Sequence, residues 1–186
     1  YVTESNKIVT EVAIAAIVLG RSLSTIHEHF WGLFVAALAF SFVFPVYLMI
    51  RGRARAPERE PSARGALGLL GDYFYGVELN PKLFGLDLKM FSYRPSLIGL
   101  GLINASFAAE QLRVHGALST RMIVYQVFYF VYLANYFQFE YGMLHTWDII
   151  AERFGWMLVF GDYLLVPFFY SIPGWYLVDQ QDPLEL

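Results

Sequence analysis

The chain has no cysteine in its 186 residues, and only 16% of them carry a charge. Without cysteine there is no disulfide framework, no thiolate metal site and no thiol nucleophile. A formal net charge of −3 leaves no strongly basic surface, which argues against nucleic acid as a partner. Motifs are missing too. No GxGxxG follows a strand, and there is no Walker loop, no GxSxG elbow and no HExxH pair for a metal. His27-Glu28-His29 places two histidines two apart, a spacing that does not share a helix face. That tripeptide reads as an interfacial loop. Nothing at the N-terminus resembles a cleavable signal peptide, and an opening at Tyr1 without Met fits a trimmed or partial chain.

What is present is apolar surface. Hydrophobic residues make up 57% of the chain and aromatic ones 18%, a composition that belongs to polytopic membrane proteins. The expectation is an all-α, polytopic transmembrane helix bundle of about five spans, forming a single transmembrane domain over residues 1–186. Ile8–Leu19 reads as the first apolar segment and Phe30–Ile50 as the cleanest span, with Trp31 and Tyr47 near its ends like an aromatic belt. Residues 51–71 read as a basic loop with Arg51, Arg53, Arg55, Arg59 and Arg64, placed in the cytoplasm by the positive-inside rule. Asp72–Pro95 is polar, and Asn80 before Pro81 is held extended, so a shaped loop is expected there. Ser96–Ala109 reads as a third main span. In it Gly101, Ala105 and Ala109 invite a close neighbour, and Asn104 needs an interhelical partner.

Two later stretches carry the candidate chemistry. In Met122–Phe139, the tyrosines Tyr125, Tyr129, Tyr132 and Tyr136 are spaced 4, 3 and 4 apart, one stripe on a helix. With Gln126 and Asn135 beside it, the stripe fits a wall facing a large apolar molecule, and it equally fits a stripe that packs the bundle. Glu140–Arg153 reads as a polar connection. Phe154–Val178 is long enough to cross a bilayer, yet it holds Asp162, Pro167 and Pro173. A carboxylate in a membrane helix costs roughly 2.5–3.5 kcal/mol on insertion scales. Each proline removes a backbone bond, and freed carbonyls at membrane depth need protein or a watery cavity. A helix lining a polar pocket is the expectation, against a kinked structural helix with Asp162 at headgroup level.

Two stretches then carry a resemblance. GVELNPKLFGLDLKMFSYRP, residues 76–95, resembles a G-x-E-L-N-P-R…D-x-K-x-F…R-P-G segment. TWDIIAERFGWMLVFGDYLLVPFFYSIPGWYLV, residues 146–178, is similar to a G-F-M-L-x-F-G-D-L-x-W-V-P-F-x-Y-S block. Both belong to the membrane sterol reductases: delta-14 sterol reductase, lamin B receptor and 7-dehydrocholesterol reductase. Lys82, Ser96, Leu165 and Pro173 depart from that pattern, where Arg, Gly, Trp and Gln are usual. The FGD form after Trp147-Asp148-Ile149-Ile150 favours the delta-14 branch, whereas LINASFAAEQ, residues 102–111, has more of the 7-dehydrocholesterol branch.

The resemblance implies part of a roughly ten-helix fold that reduces a sterol ring double bond with NADPH. It implies an integral, multi-pass membrane location, in the endoplasmic reticulum or a bacterial inner membrane, among membrane lipids. The family's RHPNY-like NADPH-binding segment lies beyond Leu186, so no cofactor-binding residue is assigned. An isolated ring double bond is not electrophilic, so a proton must reach it before or with the hydride. Tyr170 matches the family's Y-S pair and is the expected proton donor, with Asp162, eight residues earlier, orienting it or polarising the cofactor end. Tyr125, Tyr129, Tyr132, Tyr136 and Trp147 are the expected sterol contacts. The alternatives are the delta-7 branch and a non-catalytic sterol-binding receptor or scaffold. A transporter would show inverted repeats, and none is apparent.

Overall fold

The computed structural model describes residues 22–55 and 68–181. The expected segment Ile8–Leu19 and residues 56–67 of the arginine loop lie outside the described residues. Residues 22–28 are helical (α1), and the backbone bonds His29 N to Thr25 O (3.1 Å) and Leu33 N to His29 O (2.9 Å) carry the winding on. The next helix, α2, spans Phe30–Arg55. His27 and Glu28 therefore sit on a helix and not in a loop. The physical reason is a shelf of rings: the His27 imidazole lies 4.6 Å from Trp175 and 5.8 Å from Phe107.

α2 runs past the expected end at Ile50, so the first five residues of the expected loop are helical. What extends the helix is pairing. Arg51 is buried and meets Glu78 at 2.6 Å, while Arg53 meets the buried Asp72 of α3 (Gly68–Phe74) at 2.8 Å. Removing one partner of such a pair is costly where the charge is buried, which holds Arg51 out of solvent while Arg53 reaches Asp72 from the exposed side.

Asn80-Pro81 leads into a hairpin of two short strands, β1 (Lys82–Leu83) and β2 (Leu86–Asp87), paired antiparallel with Lys82 opposite Asp87. The loop was expected to run to Pro95, but α4 begins at Leu88 and ends at His115. Asp87 starts it early: its carboxylate accepts from Met90 N at 3.0 Å, a side-chain N-cap. At the other end Gly116 takes a left-handed φ of 72° and bonds back to Leu112 O. Ser119 caps α5 (Thr120–Gln138) in the same manner. Buried Gln111 ties these ends together, donating to Leu177 O (2.7 Å) and accepting from Ser119 N (2.8 Å).

A 3₁₀ turn (Glu140–His145) and the short helix α6 (Trp147–Ile150) then lead to the last helical run. That run was expected to be one kinked helix. It is three pieces: α7 (Trp156–Phe160), a π-helical segment (Gly161–Phe169) and α8 (Ile172–Leu177). Tyr170 N bonds to Leu165 O at 3.2 Å, five residues back. Pro173 falls in the first turn of α8, where its missing N–H is an orphan anyway. A wide turn accommodates one proline and a fresh helix start the other.

The core is a seam where α2, α4 and α5 close on this run, built on Phe30, Ile103, Phe107, Met122, Leu164 and Phe168. A second cluster of Leu48, Leu88, Phe154 and Val159 sits toward the arginine end of α2. Around the core the outer faces are apolar, with Val43, Ile50, Phe128 and Phe130 exposed. Two helical runs among the described residues are long and apolar enough to cross a membrane: Phe30–Arg55, mean hydropathy 2.4, and Trp156–Leu177, 1.3.

Candidate functional site

The start of the last helical run is pinned before its chemistry begins. Gly76, at φ 93°, lies face to face with Gly155, and Phe154 N donates to Glu78 O at 3.0 Å. A Cβ on Gly155 would stand 2.2 Å from Gly76 N, so only bare backbone fits on either side. Arg153 adds a bond to Val77 O at 2.8 Å. The hairpin loop thus fixes the position of α7, and through it the π segment.

Lys89, the lysine of the D-x-K-x-F segment, completes this anchor. Its side chain is fully buried, and the ammonium donates to Asp148 O and Glu152 O, both at 2.6 Å. These are the unpaired carbonyls at the end of α6, where a cation is favoured. Burial lowers the pKa of Lys89 to about 8, with Asp87, Asp148, Glu152 and Asp162 opposing that fall. Folding therefore disfavours the charged amine relative to an unfolded Lys near 10.5. The cost is fully present below about pH 8 and is relieved as pH rises toward 10.5. Between pH 7 and pH 10 the protein should gain about 2 kcal/mol of stability relative to Lys89→Met. Thermal unfolding of both proteins across that range checks it, and parallel curves would contradict it.

The tyrosine stripe lies along α5 as the spacing requires. Tyr125 and Tyr129 have ring centres 4.6 Å apart, and Tyr129 and Tyr132 6.4 Å. Its upper end is structural. Tyr125 donates to Asn104 Oδ1 and Gln126 Nε2 to Asn104 O, each at 2.7 Å, so Asn104 has the interhelical partner its place demanded. Gly101 helps here, since a Cβ would come within 2.9 Å of Leu133 on α5. Lower down, the Tyr129 hydroxyl donates to the Tyr170 carbonyl. Phe128, Tyr129, Tyr132 and Tyr170 line an open cleft of about 310 Å³. Of the stripe, Tyr129 and Tyr132 share this cleft with Tyr170.

Asp162 points elsewhere. It is buried, 4% exposed, and lines a second cleft of about 320 Å³ with Leu33, Gly99, Leu102, Tyr163 and Phe168. Its Oδ2 has no hydrogen-bond partner among the described residues. Neighbouring Tyr163 shares a 2.9 Å bond with Ser92, whose own hydroxyl donates to Leu88 O. The structure thus opens Asp162 and Tyr170 into different clefts. Tyr136 lines neither cleft, and its hydroxyl is buried without a partner among the described residues. Trp147 lines neither as well: it is 68% exposed on α6 and donates to Glu152 Oε1 at 2.9 Å.

Arg51, Arg53, Arg94 and Arg113 each meet an acid, and the Lys89 ammonium is enclosed by carbonyls. With their charges engaged, these five side chains do not fit a nicotinamide dinucleotide's phosphates. What the arrangement supplies is an aromatic cleft lined by phenols and, in a separate cleft, a buried carboxyl.

Residues 3–186 match the model of the ergosterol biosynthesis ERG4/ERG24 family. The chain is 41% identical over 154 residues to a Delta(14)-sterol reductase of Arabidopsis thaliana, covering 81% of this chain and 41% of that one. It is 39% identical over 148 residues to a Delta(14)-sterol reductase of Methylotuvimicrobium alcaliphilum, covering 79% and 34%. It is also 39% identical over 160 residues to Delta(14)-sterol reductase LBR of Gallus gallus, covering 84% and 25%. The chain thus spans between a quarter and two fifths of the length of these relatives. With a match over nearly its whole length, the chain belongs to the ERG4/ERG24 family of ergosterol biosynthesis.

Proposed function

We propose that this protein reduces a ring double bond of a sterol, the delta-14 bond first, and that these residues supply the proton. One observation carries the reading: Tyr170 opens into an aromatic cleft walled by Phe128, Tyr129 and Tyr132. A phenol holds its proton at neutral pH, and aromatic faces stabilise a passing carbocation. In the step these residues perform, the Tyr170 O–H bond breaks and its proton forms a C–H bond on the sterol ring. The hydride that completes the reduction is assigned to NADPH, bound by residues other than those described here. Asp162, eight residues earlier on the same run, takes the supporting role of orienting Tyr170 through water or polarising the cofactor end. The names of the relatives favour the delta-14 bond, and the 7-dehydrocholesterol-like residues 102–111 keep the delta-7 bond as the second reading.

The same reading makes this an integral, multi-pass membrane protein of about five spans, with α2, residues 96–109 of α4, α5 and the last helical run as those among the described residues. The arginine end of α2 and the hairpin face the cytoplasm, by the excess of Lys and Arg there. Sterol and lipid are the partners. The test is reduction of two sterol dienes by the full-length protein in membranes. Saturation of an 8,14-diene at the 14-bond is expected, and saturation of a 5,7-diene alone would move the assignment to the second reading. Binding of both without product would identify a receptor and overturn the enzyme reading.

A further inference from the structure

The cleft that holds Asp162 is a slot between two helices. α2 and α4 both pack on the π segment, and between them they leave an opening of about 320 Å³. Leu33 and Ala37 line it from α2, Gly99 and Leu102 from α4, and Pro167 and Phe168 from the π segment beside Asp162. Gly99 keeps the slot wide. A glycine inside a helix costs about 0.5–1 kcal/mol relative to alanine. Packing does not demand it here, since a Cβ would meet Pro167 at an ordinary 3.5 Å. Leu33 and Leu102 are both exposed, so the slot opens sideways, toward lipid in the proposed membrane placement.

One polar group is left open in this apolar slot. Asp162 is buried, and its Oδ2 has no hydrogen-bond partner among the described residues. The hydroxyl of Tyr163, which also lines the slot, is engaged by Ser92 at 2.9 Å. No cationic side chain lines the cleft among the described residues. A buried acceptor without a partner costs about 1–3 kcal/mol. Apolar walls with a single polar group to fix orientation are the usual build of a small-molecule site. The π winding that carries Asp162 is itself a geometry that recurs at functional sites.

Whatever satisfies Oδ2 has to arrive past Leu33 and Leu102, through hydrocarbon. A charged group pays about 2.5–3.5 kcal/mol there on insertion scales, whereas a hydroxyl carries no charge and still donates. We propose that the Asp162 cleft is a second lipid site, holding a lipid alcohol with its hydroxyl on Asp162 Oδ2 and its apolar body between α2 and α4. Two membrane sources share that chemistry: a sterol, through its ring hydroxyl, and a straight-chain alcohol. The inference rests on the membrane placement and not on Tyr170 being the donor. No bond is made or broken in this site.

The experiment is photolabelling of the full-length protein in phosphatidylcholine vesicles with two diazirine probes, one built on cholesterol and one on 1-hexadecanol. Cholesterol carries neither of the dienes assigned to the reaction, and labelled peptides are read by mass spectrometry. Label is expected on the stretches that hold Leu33, Leu102 or Phe168. Excess unlabelled alcohol should compete, and cholestane, which lacks the hydroxyl, should not. Asp162→Ala should lower the label about 10-fold, the loss of one hydrogen bond to a carboxyl. Leu33→Trp, at the exposed mouth, should block the slot by bulk, and it decides the matter if Asp162→Ala does not fold. Label from the cholesterol probe alone assigns the site to sterols, from the hexadecanol probe alone to straight chains, and from both to lipid alcohols as a class. No label at the cleft with either probe would overturn the proposal, as would full competition by cholestane or unchanged label in either folded variant. Competition by hexadecylamine but by neither alcohol would overturn it too, since the site would then select charge. Failure of the sterol-reductase reading shows separately, as a parent protein that reduces no diene yet takes the label at this cleft.

Discussion

Replacing Tyr170 by Phe in the full-length protein should lower kcat by about 10²-fold or more while sterol affinity stays near the parent value. The ring remains against Phe128, Tyr129 and Tyr132, so the cleft keeps its shape and loses one hydroxyl. Its neighbour Tyr129 bonds to the Tyr170 carbonyl and not to the phenol, so the backbone anchor survives the substitution. A loss confined to kcat means that the hydroxyl acts in the transition state. A 10²-fold loss corresponds to about 2.7 kcal/mol, within what general acid catalysis supplies. Asp162→Asn, opening into the other cleft, should reduce kcat less. The reverse order, with Tyr170→Phe near the parent rate and Asp162→Asn inactive, would exchange the two roles. Activity in both would move the donor outside these residues.

The largest stability effect should come from Gly155→Ala. A methyl there meets backbone at Gly76 N (2.2 Å) and Tyr75 C (2.5 Å), neither of which can rotate away. The hairpin loop must retreat, which threatens the Phe154–Glu78 bond and the Arg153–Val77 bond together. Overpacking a close contact costs about 1–3 kcal/mol where side chains can adjust, and backbone against backbone belongs at or above the top of that range. Chemical unfolding in detergent should show a loss of about 3 kcal/mol or more, whereas Gly142→Ala, which meets nothing within 4 Å, should stay near the parent. Equal midpoints for Gly155→Ala and the parent would contradict the anchor.

How much of this was legible depended on whether the cause was local. The tyrosine stripe and the partner for Asn104 follow from helical spacing, and α5 presents them as its period dictates. Helix α4 was read eight residues short at its start and six at its end, the start because Lys89, Ser92 and Arg94 look solvent-bound in a linear reading. Each is in fact engaged: Lys89 by carbonyls of α6, Ser92 by Tyr163 and Arg94 by Glu140. Those partners are remote in sequence and leave no periodic signal. The Asp87 cap was the local cue that could have moved the boundary. The π winding of Gly161–Phe169 was not readable either, since residue preferences do not separate five-residue from four-residue bonding over a single stretch. Pro173 was readable in principle: a proline two residues after Ser171 suits a new helix start as well as a kink. That Asp162 and Tyr170 open into separate clefts depends on that winding.

The central claim is that these residues deliver a proton to a sterol ring. Its most direct test is reduction of the 8,14-diene by the full-length protein in deuterium oxide with unlabelled NADPH, the product analysed by mass and by NMR. The account predicts one solvent deuterium per product, on the ring carbon facing the phenol cleft, and loss of that product in Tyr170→Phe. A reduced sterol that carries no solvent deuterium would contradict it.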